Sequence, residues 1–343
     1  MRNYGFVLLC LLAGVFPAMG QSHWRTVKEE LLFLHPPFNN CHASTLAEDA
    51  GGNLHVACFG GTHEGAKDVV IWAGTIPAHG GVTPTVVATG VLDDTVRYPC
   101  WNPVLLPLKN KLVLFYKVGP NPREWWGMMK TSADNGRSWS AAVRLPANVI
   151  GPVKNKALVL GNNVLCPSSV EEEGGHWRIQ IEQTDTHLRQ WKVIPIDTSS
   201  KLDVIQPSIL HYHDGKLQLL CRSKQGKVVQ SWSADNGVTW SALTETSLPN
   251  PNSGTDAVTL KNGLQLIVYN PDLPGKDWFN GRSRLRVAAS RDGVQWKDVA
   301  VLENGTTEEF SYPAIIQTRD GLVHITYTYD RKNIKHVVLQ EEK

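Results

Sequence analysis

SADNGRSW at residues 132–139 and SADNGVTW at 233–240 are two copies of one turn. A shorter copy, SRDGVQW, occupies 290–296, and a degenerate one, TDTHLRQW, occupies 184–191. In this pattern Ser and Asp side chains bond the backbone of their own turn. Gly then takes up the unusual backbone angle, and Trp tucks beneath, so the turn closes a hairpin by itself. The Asp positions are 134, 185, 235 and 292. They advance in steps of about 50 residues, the length of one four-stranded propeller blade.

Six further segments interleave with these turns. They are CHASTLAEDAGGNLHVACF from Cys41, PCWNPVLLPLKNKLVLFYK from Pro99, GPVKNKALVLGNNVLCPSS from Gly151, IQPSILHYHDGKLQLLCRS from Ile205, NSGTDAVTLKNGLQLIVYN from Asn252 and FSYPAIIQTRDGLVHITYTY from Phe310. Each has a polar or Pro-containing lead, an apolar run, a Gly/Asn turn and a second apolar run, which reads as a β-hairpin. Little of the chain has the spacing of a long amphipathic helix. The expected fold is all-β, a six-bladed β-propeller whose last blade is shared by the two chain ends.

The composition agrees with this reading. The 343 residues are 42% hydrophobic and 19% charged, with 34 basic and 32 acidic side chains. This excludes a disordered tail, a collagen and a coiled coil. A net charge of +2 provides no field suited to nucleic acid or an anionic membrane. Arg2, the apolar run Phe6 to Phe16 and the small residues around Ala18 and Gly20 read as a signal peptide over 1–20. Residues 21–343 then form a single exported propeller with no segment for membrane insertion. The five remaining cysteines, Cys41, Cys58, Cys100, Cys166 and Cys221, are scattered without a CxxC pair and read as small buried side chains. The histidines lack ligand spacing, so neither a metal nor a cofactor is implied.

In a blade the first strand is innermost and the second runs back beside it. The start of the first strand and the end of the second therefore share a face near the axis. That geometry collects His42, His63, Glu64 and Asp68 from the first hairpin, and Trp101, Asn102 and Lys117 from the second. Lys154, Asn155, Lys156 and Glu171 come from the third, and Gln206 and Arg222 from the fourth. The fifth adds Asn252, Asp256 and Arg282, and the sixth adds Tyr312, with Tyr329 and Arg331 opposite. Arg222, Arg282 and Lys154 suit an anionic group, since a guanidinium grips a carboxylate through two hydrogen bonds. Glu64, Asp68, Glu171 and Asp256 are candidate acids and bases for glycoside hydrolysis. A Tyr held near a carboxylate can serve as a nucleophile beside an anionic sugar.

With these residues in view, the chain resembles the bacterial sialidase (neuraminidase) superfamily, in its Asp-box or BNR-repeat sialidase-like branch. The segments HASTLAEDAGGN, FGGTHEG, YPCWNPVL, GPVKNKALVL, LPNPNSGTDAVTL and FSYPAII carry the narrower likeness. The resemblance implies a sialidase-type propeller and an exo-acting hydrolase that removes a terminal acidic sugar, sialic acid, from a glycan. It places Tyr312 as nucleophile, Arg222 and Arg282 (or Arg284) as carboxylate ligands, and Glu64 or Asp68 as acid/base. Two positions depart from the family. Cys41-His42-Ala43 stands where the family has an Arg-Ile-Pro motif, and Gln206 stands where the family's Glu activates the Tyr. Gln cannot accept that proton as a carboxylate would, so either another group, such as Asp256, Glu171 or His42, does that work, or Tyr312 is not a nucleophile here.

Two other readings fit the same residues. One is a propeller hydrolase acting on a uronic or 2-keto-3-deoxy acid, with His42 in the site; in the sialidase reading the expected substrate contacts are Arg222, Arg282, Lys154, Asn102, Gln206, His63 and Glu171. The other is a non-catalytic glycan-binding propeller in which the tryptophans stack on sugar faces. Asp134, Asp235 and Asp292 are expected to be outer-turn residues without a catalytic role.

Overall fold

The structure is a computed structural model describing residues 23–277 and 279–342. The leader expected over 1–20 lies outside the described residues. Six antiparallel four-stranded sheets form a propeller ring. The first blade contains Asn40–Glu48, Leu54–Gly61, Val70–Ile76 and Thr85–Ala88. The second contains Cys100–Leu108, Lys111–Val118, Trp126–Ser132 and Val143–Arg144. In the sixth, Phe310–Gln317, Val323–Tyr329 and Asn333–Glu342 are completed by the N-terminal strand His23–Leu31. That strand pairs with Asn333–Glu342, with Glu30 opposite His336, so the two ends close the ring as the sequence suggests.

The blades are held by what lies between them. Among the described residues, six apolar clusters lie between neighbouring blades, and the first also takes in Tyr312 of the sixth blade. Phe59 meets Leu114 between the first and second, Ile181 meets Leu219 between the third and fourth, and Leu266 meets Ile325 between the fifth and sixth. The β-branched and aromatic runs form strands because both of their faces find such partners. All five described cysteines are free and buried. No helix among the described residues is long and apolar enough to cross a membrane.

The repeated turns close as their sequence dictates. The Asp134 carboxylate accepts from Ser132 Oγ at 2.8 Å, from the Ser138 N–H at 2.9 Å and from Ser138 Oγ at 2.5 Å. Asp235 repeats the pattern with Ser233 and Thr239, and Trp240 Nε1 donates to Gly237 O at 3.1 Å. These donors, led by Ser138 and Thr239, hold both Asp carboxyls down at about 2. Asn135 and Gly136 take φ of 59° and 79°, which Asn and Gly tolerate best.

Two inner strands are shorter than their hairpin pattern suggests. In the third blade only Leu158–Leu160 is regular, and in the fifth only Asp256–Thr259. The polar residues ahead of each strand take over the hydrogen bonding there. Lys117 Nζ donates to Pro152 O and to Val153 O, and Asn250 Nδ2 donates to Ser253 O at 2.8 Å. Buried irregular backbone is thereby satisfied by side chains instead of a ladder.

Candidate active site

Four inner strands carry a β-bulge at the same place. Register breaks fall between His42 and Thr45, Trp101 and Val104, Ile205 and Ser208, and Ser311 and Ala314. At three of them the first extra residue lies in the left-handed region, with φ of 56° at Ala43, 55° at Gln206 and 52° at Tyr312. A bulky residue at positive φ is strained. The bulge bends the strand and re-aims these side chains.

Tyr312 and Gln206, from the sixth and fourth blades, therefore meet. Gln206 Nε2 donates to Tyr312 Oη at 3.1 Å, and Arg222 Nη1 donates to the same oxygen at 2.6 Å. Arg222 Nε donates to Asn252 Oδ1 at 2.7 Å, and its guanidinium lies 5.2 Å from the centre of the Trp177 ring. Two donors aimed at the phenol oxygen stabilise negative charge there. His42 packs against Tyr312 with ring centroids 4.1 Å apart, and its Nδ1 shares a 2.8 Å hydrogen bond with Thr328 Oγ1. Burial, then the nearby Arg331, Arg282 and Arg222, push His42 well below its ordinary value, so the imidazole is neutral at neutral pH.

Two more guanidiniums complete the basin. Arg282 Nη1 donates to Glu309 Oε1 at 3.1 Å, and Nη2 to Asn252 O at 3.0 Å. Arg331 Nε donates to Glu309 Oε2 at 2.7 Å, and Arg331 also pairs with Glu64. Ser311 Oγ adds a bond to Glu309 at 2.7 Å. Burial alone would raise Glu309, but Arg331 and then Arg282 outweigh it, so its carboxyl sits below the ordinary range. One carboxylate thus orients two arginines, while Asn252 bridges Arg222 and Arg282. Arg284 pairs with Asp272 instead, so of the two it is Arg282 that the structure brings beside Asn252 and Glu309.

The remaining residues expected at the site divide by position. Lys154 is buried and spends its ammonium on Asn155 Oδ1 at 2.8 Å, Thr255 O at 2.9 Å and Pro313 O at 2.6 Å. It braces three blades from within. Asp256 is 2% exposed and is occupied by Lys156, Ser208 and the N–H groups of Ala257 and Ile315, so it too is a brace. Asn102 is buried, and its carbonyl accepts from Lys117. Asp68 is exposed, and Thr62 holds its carboxylate through N–H at 2.9 Å and Oγ1 at 2.6 Å. These bonds, with Thr62 Oγ1 foremost, keep Asp68 below its ordinary value. His63 lies exposed on the same loop as Glu64. Glu171 sits partly exposed at the end of Asn163–Glu171, in register with Trp177.

Glu309 and the bridging Asn252 are absent from the residues singled out in sequence as catalytic or substrate-binding. Glu309 stands in the run Glu308-Glu309 just before an inner strand and resembles a solvated pair. Its position next to Phe310, at the mouth of the last hairpin, is the available signal. Among the described residues, no group of three or more His, Cys, Asp or Glu side chains could hold a metal ion.

A family model described as BNR repeat-like domain matches residues 52–325. No curated protein sequence matches the chain. Solved structures share the fold at low identity. A protein of unknown function from Dyadobacter fermentans aligns with a TM-score of 0.76 at 14% identity, over 93% of this chain and 100% of that one. The Trypanosoma rangeli sialidase aligns with a TM-score of 0.71 at 17% identity, over 88% of this chain and only 55% of that one. The NanB sialidase from Streptococcus pneumoniae, in complex with an aminoethanesulfonate compound, aligns with a TM-score of 0.69 at 12% identity, over 92% and 70%.

Proposed function

Since the chain belongs to the BNR repeat-like domain family, we propose that it is an exported, exo-acting glycoside hydrolase that removes a terminal acidic sugar, sialic acid, from glycoconjugates. The observation carrying this reading is the 2.6 Å contact of Arg222 with Tyr312 Oη, beside the Arg282–Glu309–Arg331 network. A phenol and three guanidiniums from distant parts of the chain share one basin. The T. rangeli sialidase, whose fold this chain shares, has been crystallised as a covalent intermediate with 2,3-difluorosialic acid.

The sugar carboxylate binds among Arg222, Arg282 and Arg331, which are already oriented by Asn252 and Glu309. Such preorganisation lets binding occur without rearranging the cations. Tyr312 Oη, under its two donors, stabilises or attacks the developing positive charge at the anomeric carbon. Of the two candidate acid/base groups, Glu64 is favoured. Asp68 is committed to Thr62, whereas Glu64 contacts the basin through Arg331; an incoming carboxylate competes for that guanidinium, and the exposed Glu64 then takes a proton from solvent and passes it to the leaving oxygen. Gln206 supplies only an amide, so His42, whose ring packs against that of Tyr312, is the candidate acceptor of the phenol proton.

Tyr312→Phe tests the assignment. Turnover of an aryl sialoside should fall at least a hundredfold, the scale of losing a positioned catalytic group, while the melting temperature hardly moves. Full activity in the variant would overturn the role of Tyr312. A second reading, hydrolysis of a uronic or 2-keto-3-deoxy acid, is favoured by Gln206 in place of a carboxylate at the phenol. Turnover of aryl uronides but not sialosides would select it. Binding of the glycan without product release would select a lectin.

A further inference from the structure

A cleft of about 820 Å³ opens between the second and third blades, lined by Trp125, Trp126, Arg144, Asn148, Gln180 and Trp191, with aliphatic residues between them. Its size falls within the roughly 300–1,000 Å³ of small-ligand sites. Trp125 and Trp126 lie where the second strand of their blade returns to the third, and residues 145–151 link that blade to the next. In a propeller with this strand order both connections lie on the face where inner strands begin, which is the face of the basin.

A row of aromatic rings connects the two. Tyr312 touches His42 at 4.1 Å between centroids, His42 touches Phe59 at 5.7 Å, Phe59 touches Trp101 at 6.3 Å, and Trp101 touches Trp125 at 6.0 Å. One sugar ring cannot occupy both ends of that row. The cleft wall is fixed before any ligand arrives. Buried Glu182 accepts from the N–H groups of Ile150 at 3.0 Å and Gly151 at 2.6 Å, and the Leu145 N–H bonds to Gly127 O at 2.9 Å. The Arg144 guanidinium sits over Trp126, 4.7 Å from its ring centre, and lines the cleft.

We propose that this cleft is a second carbohydrate subsite, which stacks a neutral pyranose of the glycan whose acidic end occupies the basin. The proposal rests on the glycan reading of the basin and extends it: the substrate is an oligosaccharide or polysaccharide chain, not an acidic sugar on a small aglycone. The chemistry fits a sugar. Half-buried Trp125 and Trp191 meet the apolar ring face, while Arg144, Asn148 and Gln180 provide hydrogen bonds to hydroxyls. A preformed aromatic wall also lowers the ordering cost of binding.

The test uses the whole protein, with its tryptophan indole N–H signals followed by NMR and assigned through Trp125→Phe and Trp191→Phe. The probes are the neutral trisaccharides maltotriose, xylotriose and triacetylchitotriose. At least one should shift the Trp125 and Trp191 signals saturably, in wild type and in Arg222→Ala alike. Silence of both signals with all three would overturn the subsite. A separate titration with sialic acid and with glucuronic acid reports on the basin. If neither acid binds while the indole shifts persist, the basin reading fails and the cleft stands. In the third arm, Trp191→Ala should weaken 3′-sialyllactose about tenfold, the value of one stacking platform, with free sialic acid unchanged. Equal losses for both ligands would contradict a separate subsite. Arg144→Ala repeats this arm in a variant that leaves the packing of Trp191 against Phe115 intact.

Discussion

Glu309→Gln separates the basin's architecture from its chemistry. Its carboxylate receives Arg282 Nη1 at 3.1 Å, Arg331 at 2.7 and 3.3 Å, and Ser311 Oγ at 2.7 Å. The side chains of Glu309, Arg282 and Arg331 are 16%, 3% and 16% exposed. Removing one partner of a buried pair costs about 3–5 kcal/mol. Here Arg331 keeps Glu64 and the amide keeps one acceptor, so about 2–3 kcal/mol is expected. Unfolding entropy of about 2.1 cal/mol/K per residue makes this a fall of roughly 3–4 °C in Tm for a chain of this length. Arg282 and Arg331 lose their common anchor, so KM for an acidic sugar substrate should rise about tenfold with a smaller change in kcat, the pattern of lost uniform binding. Scanning calorimetry and steady-state kinetics on an aryl sialoside read the two effects. An unchanged Tm together with an unchanged KM would refute the claim that Glu309 holds the two arginines.

Three further outcomes follow from other contacts. Gln206→Glu puts a carboxylate within reach of Tyr312 Oη, and turnover of an aryl sialoside should rise at least tenfold if the phenol lacks an efficient proton acceptor; a fall would show that the amide itself is needed. His324 and His336 share a 3.0 Å contact beside the closing strand. Burial holds His324 down at about 4 and lowers His336. Between pH 6.5 and 4 the unfolded chain therefore binds more protons, stability falls as pH drops through that window, and His324→Gln should flatten the Tm-against-pH curve there. Asp235→Ala removes the acceptor of Ser233 and Thr239, so it should lower Tm and leave kcat and KM unchanged; a loss of activity at constant Tm would assign that turn a catalytic role.

The ring was legible because its signals are local. The pattern SADNG followed by Trp carries its own hydrogen bonds, and its spacing sets the blade length. Tyr312, Arg222 and Gln206 were legible for a related reason, since the start of an inner strand and the end of its neighbour must share a face. Position along a strand does not reveal direction or partner. Lys154 and Asp256 sit in the same register zone as the basin residues, yet both turn into the ring and brace it. Arg331 and Glu309 come together only because a bulge and a tight turn, with Asp330 and Arg331 at φ of 50° and 54°, fold the end of the last hairpin back over its start. Hydropathy predicts longer inner strands than 158–160 and 256–259, because it does not record that the polar residues before them bond as side chains.

The most direct measurement is to trap the reaction on the protein. Incubation with a 2,3-difluorosialic acid derivative, followed by intact-mass and peptide mass spectrometry, should yield one glycosyl adduct, located on Tyr312 and absent in Tyr312→Phe. Inactivation with the adduct on any other residue, or sialoside turnover that the compound never interrupts, would contradict the assignment of Tyr312 and the arginine basin as a sialidase-type centre.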